Sequence, residues 1–207
     1  MIESLFIGGS IMWIELGLSI ISLAVVIERI WFFKSSSCDA EKLETEVGKA
    51  ISEKNREAAY ALLDKPKNSL HRLFKAAFDH WQVNSEDMKI LLEQQVRREM
   101  YRWEKNLYVL EIIGKIAPLL GLLGTVLGMS DMFQSLHLGG QVDANAVTGG
   151  IWKALFTTIA GLTVAIPTIF AHGVLSSRIE NEEETLNRSA DFLLREQLLR
   201  SDSNEKK

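Results

Sequence analysis

The sequence predicts an all-α membrane protein: three transmembrane helices with long helical extensions outside the bilayer. Apolar residues gather into three runs, 10–33, 112–132 and 151–175, each about as long as a helix needs to cross a hydrocarbon layer. In 34–110 and 176–207 they recur instead at i, i+3, i+4 and i+7, the pattern of helices half in water. The hydrophobic content of 47 % and mean hydropathy of +0.06 therefore average two populations, and the chain is too polar to lie wholly in a membrane.

Residues 1–9 form a short leader with Glu3 and no Lys or Arg. The first span, 10–33, closes on Glu28-Arg29 and the aromatics Trp31, Phe32 and Phe33, followed by Lys34. It has neither a basic n-region nor a small-residue cleavage site, so it reads as a retained anchor rather than a signal peptide. Glu15 is an acid inside this run, expected close to the outer interface or packed against another helix; intramembrane acids are functional by default.

The insert, 34–110, is helical. Leu43, Val47, Ala50 and Ile51 mark one stripe, and Ala58–Leu63 a short second one before Pro66. Leu70, Leu73, Phe74, Ala77, Phe78 and Trp81 follow the helical rule closely. Ser85 is placed to cap the next helix, with Glu86 and Asp87 in its first turn. Leu92, Val96, Trp103 and Leu107 carry that helix on without a breaker, predicting one helix from Glu86 to about Gln134 that Pro118 bends but does not end. In the tail, 176–207, Ile179, Leu186, Ala190, Leu193 and Leu198 form a stripe beside the acid run Glu180–Glu184, the pattern of an amphipathic helix packed on the insert. Ser201–Lys207 is expected to fray.

The second span (111–134) and third span (147–175), joined by a Gly-rich turn at 135–146, organise the chain. Gly121, Gly124 and Gly128 punctuate the first of these and Thr157, Thr158, Gly161 and Ala165 the second, small residues that let helix backbones approach closely. Thr125 and Thr158 fall near mid-membrane on antiparallel helices, counted at about 1.5 Å rise per residue. Their hydroxyls either bond between helices or line a hydrated path; the residues alone leave both open. Asp131 and Lys153 lie at matching depths nearer the outside, as a salt bridge between the spans or with Lys153 facing an acid on a partner.

Of the 23 Lys and Arg residues, fourteen lie between Lys34 and Lys105, and neither the leader nor the turn has any. The positive-inside rule then puts insert and tail in the cytoplasm, leader and turn outside. A net charge of −4 suggests no nucleic-acid partner. The single Cys38 excludes an intrachain disulfide, the four His are scattered so no metal site is expected, and no phosphate loop or nucleophile elbow appears, so neither a cofactor nor enzyme chemistry is expected. Three spans cannot enclose a pathway alone, so function implies several copies or a partner.

The segment LLGLLGTVLGM, followed after a polar turn by GGIWKALFTTIAGLTVAIP, resembles the paired signature of the ExbB/TolQ/MotA proton-channel family. Three spans with a large insert after the first resemble the ExbB and TolQ branch. The resemblance implies a pentamer surrounding a dimer of a single-span ExbD- or TolR-like partner in the bacterial inner membrane. Proton flow there would energise a TonB- or TolA-like transducer in biopolymer transport. It further implies that Thr125 and Thr158, with Thr157, line the ion pathway, and that the titrating acid belongs to the partner. Where ExbB commonly carries a Glu on the third span, this chain has Lys153, so no role for that Glu carries over. A non-conducting oligomeric scaffold is the alternative; it needs the glycines but has little use for the threonines. A secondary transporter is disfavoured by three spans without an inverted repeat.

Overall fold

A computed structural model describes residues 9–36, 40–52, 61–63, 68–139 and 144–205. Every regular element among them is a helix: α1 (Ser10–Ser36), α2 (Ala40–Ser52), α3 (Ser69–Asp79), α4 (Ser85–Glu104), α5 (Leu107–Gly139) and α6 (Ala144–Glu205). By length and composition α1, α5 and α6 can each cross a membrane. The leader through residue 8, Cys38, Pro66 and the centre of the predicted turn lie outside the described residues. Two compact units emerge, one of Met1–Glu28 with Asn106–Leu175, the other of Arg29–Lys105 with Ser176–Lys207.

In the first unit α5 and α6 pack antiparallel, glycine against small residue. A Cβ added to Gly114 would meet Ile169, at Gly121 and Gly124 it would meet Thr157 and Thr158, at Gly128 Ala154, and at Gly150 Met132. The paired positions descend on α6 as they climb on α5, which fixes one register. Buried positions on α5 (Ile113, Ala117, Gly121, Gly124, Gly128, Met132) step by three or four, the seam of a left-handed pair. The opposite faces carry exposed Leu119, Leu122, Val126, Ile166 and Phe170, apolar surface that suits lipid or further helices. Pro118 sits inside α5 and does not end it.

The second unit has a core of large apolar side chains, with Leu70, Leu73, Phe74, Ala77 and Phe78 of α3 buried with Met88, Leu92, Val96 and Trp103 of α4. Trp103 Nε1 donates to Ser69 Oγ at 2.8 Å. Glu99, wholly buried, accepts from Arg72 Nε at 2.9 Å, Arg102 Nη1 at 3.0 Å and Gln95 Nε2 at 3.2 Å. The tail packs on the insert: Ser189 Oγ donates to Glu44 Oε1 at 2.7 Å and Gln197 Nε2 to the Val83 carbonyl at 2.8 Å.

The structure departs from the sequence expectations at four places. The long helix from Glu86 is broken: α4 ends at Glu104, and Asn106 adopts φ 67° before α5 begins. Asn tolerates this left-handed conformation better than most residues, so it serves as a stop without being Gly or Pro. The Arg29 guanidinium takes over the carbonyls freed at the end of α4, Arg102 at 3.1 Å and Trp103 at 3.3 Å. The cap of α4 is Asn84 rather than Ser85, its Oδ1 accepting from Asp87 N–H at 2.7 Å. Third span and tail are one helix, α6, because nothing at Leu175-Ser176-Ser177 stops a helix, and it runs on to Glu205, through residues 201–205 that were expected to fray. Leu198 is half exposed; the buried position beside it belongs to Gln197, whose Nε2 donates to the Val83 and Trp81 carbonyls.

Two outcomes follow from this packing. A Cβ at Gly124 would lie 2.5 Å from Thr157 Oγ1 and 2.6 Å from its Cβ, and a β-branched residue in a helix has little rotamer freedom to yield. Gly124→Ala should therefore destabilise the hairpin by about 1–3 kcal/mol, while Gly173→Ala, with nothing within 4 Å, should not; thermal melting of the two variants compares them. His71, whose Nδ1 is buried without a partner, is held below the ordinary histidine pKa first by burial and then by the Arg72 charge. The unfolded chain binds that proton more readily. Stability of the insert should be fully present above the ordinary value and fall as pH drops through it towards the lowered one. Melting across about pH 8 to pH 5 should show this slope, and His71→Gln should flatten it.

Candidate functional site

The candidate residues lie along the α5–α6 seam, where two threonines meet one backbone carbonyl. Gly121 O accepts from Thr158 Oγ1 at 3.2 Å and lies 3.4 Å from Thr157 Oγ1, whose shorter bond, 2.8 Å, goes to Ala154 O in its own helix. Only a residue without a side chain lets this carbonyl come so near, since a Cβ on Gly121 would stand 2.9 Å from Thr157 O. Thr125 lies one turn further along α5 and donates to Leu122 O at 2.7 Å. Thr157 is 1 % exposed and enclosed by the seam, while Thr125 and Thr158 keep part of their surface.

Gly128 against Ala154 brings Asp131 and Lys153 together. Lys153 Nζ lies 3.6 Å from Asp131 Oδ2, with Asp131 68 % and Lys153 35 % exposed in the side chain. Gly161 faces Ala117, whose carbonyl a Cβ would meet at 2.5 Å, and Gly121, whose Cα it would meet at 3.2 Å. Gly121, Gly124, Gly128 and Gly161 thus all sit where α5 and α6 touch.

Sequence reasoning left one residue out of this group. Glu15 of α1 is 1 % exposed, and its Oε1 would lie 3.1 Å from a Cβ on Gly161. The first span therefore brings a carboxyl to within one glycine of the carbonyl that the threonines share. Its signal was a lone acid in an apolar run; what it packs against depends on tertiary geometry. Among the described residues no group of three or more His, Cys, Asp or Glu is arranged to hold a metal ion.

Residues 65–188 match the model of the MotA/TolQ/ExbB proton channel family. The biopolymer transport protein ExbB-like 3 of Synechocystis sp. is 32 % identical over 172 residues, 82 % of either chain. The biopolymer transport protein ExbB of Helicobacter pylori is 45 % identical over 71 residues, 34 % of this chain and 49 % of that one. That of Xanthomonas campestris pv. campestris is 37 % identical over 92 residues, 44 % of this chain and 36 % of the relative. The family match takes in the second span, most of the third-span helix and much of the insert, and a relative agrees over four-fifths of both chains: the protein belongs to the MotA/TolQ/ExbB proton channel family.

Proposed function

We propose that this chain is the channel-forming subunit of a proton-driven complex in the bacterial inner membrane. Several copies, five by family resemblance, surround a dimer of a single-span ExbD- or TolR-like partner that carries the titrating acid. Proton passage along their contact drives a conformational cycle, which passes work to a TonB- or TolA-like transducer in biopolymer transport. The leader and the turn face the periplasm; insert and tail face the cytoplasm, as the distribution of Lys and Arg supports. The chain itself performs no enzymatic chemistry.

The observation that carries this reading is the threonine layer around Gly121, on a seam with no acid of its own between Ile112 and Ser130. Thr125 and Thr158 are the lining hydroxyls, with Thr157 behind them. Hydroxyls relay water or protons without titrating, so the acid must come from elsewhere. A scaffold that only oligomerises would use the glycines and be indifferent to these hydroxyls.

Thr→Val is near-isosteric, and the Gly121 carbonyl belongs to a helix that holds without either hydroxyl. An interhelical hydrogen bond in membrane is worth about 0.6 kcal/mol, too little to dissolve a large oligomer. Thr125→Val, Thr158→Val and the double variant should therefore keep the yield of purified complex, while activity driven by the proton motive force falls at least about tenfold. Persisting activity in the double variant, or activity and assembly falling together, assigns the hydroxyls to structure and favours the scaffold.

The ion pair calls for a separate experiment. Asp131→Ala and Lys153→Ala should each lower complex yield by leaving the other charge uncompensated, and the swap Asp131→Lys with Lys153→Asp should restore part of it. Without recovery in the swap, Lys153 answers an acid on the partner.

A further inference from the structure

Among the described residues two acids are almost wholly enclosed. Glu99 is held by two arginines and a glutamine. Glu15, 1 % exposed, has no such company: among the described residues neither carboxyl oxygen has a hydrogen-bond partner. A bare carboxylate so placed is costly, whereas the neutral acid needs only one donor satisfied.

The surroundings of Glu15 look built rather than accidental. Gly161 lacks the Cβ that would press on Oε1, and the same absent Cβ lets α6 touch Ala117 and Gly121 of α5. Gly121 O in turn accepts from Thr158, so carboxyl and threonines share one level of the three-helix packing. Beside Glu15 opens a cleft of about 290 Å³ between α1 and α6, lined by Phe156 and Ala160 and by two hydroxyl residues, Ser19 and Thr163. Apart from Glu15, α1 has no charged residue between Ser10 and Ile27. On α5 and α6 the titratable groups of this unit are Tyr108, Glu111, Lys115, Asp131, His137, Lys153 and His172. Lys115 is engaged by Glu111 at 2.6 Å and Lys153 by Asp131, while His137 and His172 lie more than two helical turns from Gly121 and Gly161.

We propose that Glu15 is a proton-binding carboxyl of the subunit itself, placed in the threonine layer and exchanging its proton through the cleft between α1 and α6. Binding of the proton stands on this geometry alone; a part in transport rests on the proton-channel reading above. Each subunit would then contribute an acid of its own, additional to any on a partner.

The test uses the full-length chain in its membranes. Dicyclohexylcarbodiimide enters apolar sites and reacts with neutral carboxyls: the acid proton moves to a carbodiimide nitrogen as the carboxyl oxygen bonds to the central carbon. Peptide mapping should find the adduct at Glu15 at neutral pH, weakening as the medium is made alkaline, and none at exposed Glu111. No adduct at neutral pH, or one that sodium suppresses at constant pH, overturns the proposal. For transport, Glu15→Gln should lower proton flux at least about tenfold with complex yield unchanged, and Glu15→Asp should keep part of the flux. Should Glu15→Gln fail to assemble, Glu15→Asp and the adduct on the unaltered chain decide. Full flux in Glu15→Gln, where Thr125→Val with Thr158→Val abolishes it, overturns the transport role and leaves the channel reading standing. Full flux in all three variants overturns both, with the adduct still deciding whether Glu15 binds a proton.

Discussion

The approach of α5 to α6 at Gly121 and Gly124 is the constraint on which the membrane unit depends. Two helices in lipid gain nothing from hiding apolar surface, because lipid tails are as apolar as leucine; close van der Waals contact and hydrogen bonds must hold them. Contact this close excludes a Cβ at Gly121 and Gly124 of α5 and, across the seam, at Gly161. The rest of the unit is set by it. The register brings Lys153 to Asp131, presents the Gly121 carbonyl to two hydroxyls, and leaves at Gly161 the space that Glu15 enters.

The two enclosed acids show how differently the two units treat charge. Glu99 lies in a water-facing fold and is met by guanidinium groups from Arg72 and Arg102, so its charge becomes a permanent strut between α3 and α4. Breaking one partner there would strand a buried charge, which is why such networks tolerate little change. Among the described residues Glu15 has neither counter-ion nor donor, although a Ser or Thr donor would be easy to supply beside it. A fold that needed this acid only for packing would do better with Leu or Met of similar size.

Much of this was readable in the residues. The three spans follow from apolar run length, the seam from Gly124-x-x-x-Gly128 and its neighbours, and the α3 face from spacing at Leu70, Leu73, Phe74 and Ala77. Most of what escaped was contacts between residues far apart in the chain. Helix α4 stops at Glu104 because Arg29, more than seventy residues earlier, accepts the role of C-terminal partner, and because Asn106 turns left-handed. Asn84 and Ser85 are both good caps, and only the backbone path decided for Asn84. The partners of Gln197 are loop carbonyls at Trp81 and Val83, invisible to any periodicity. Glu15 was visible as an oddity, but its placement against Gly161 was not.

Helix α6 shows why periodicity alone could locate a buried face yet not say what it packs in. Its buried positions recur in steps of three, four or seven from Ala154 through Thr157, Gly161, Ala165 and Thr168 to Leu175, Ile179, Leu186, Ala190 and Leu193. The repeat persists while the residue size changes. In the first half the seam is Ala, Thr and Gly, since in lipid only proximity stabilises a helix pair. Past Leu175 it turns mainly to Leu and Ile, since in water each such side chain contributes about 1.5–3 kcal/mol by leaving solvent. One continuous helix thus keeps a single stripe while the residues on it change from small in the apolar run to large beyond it.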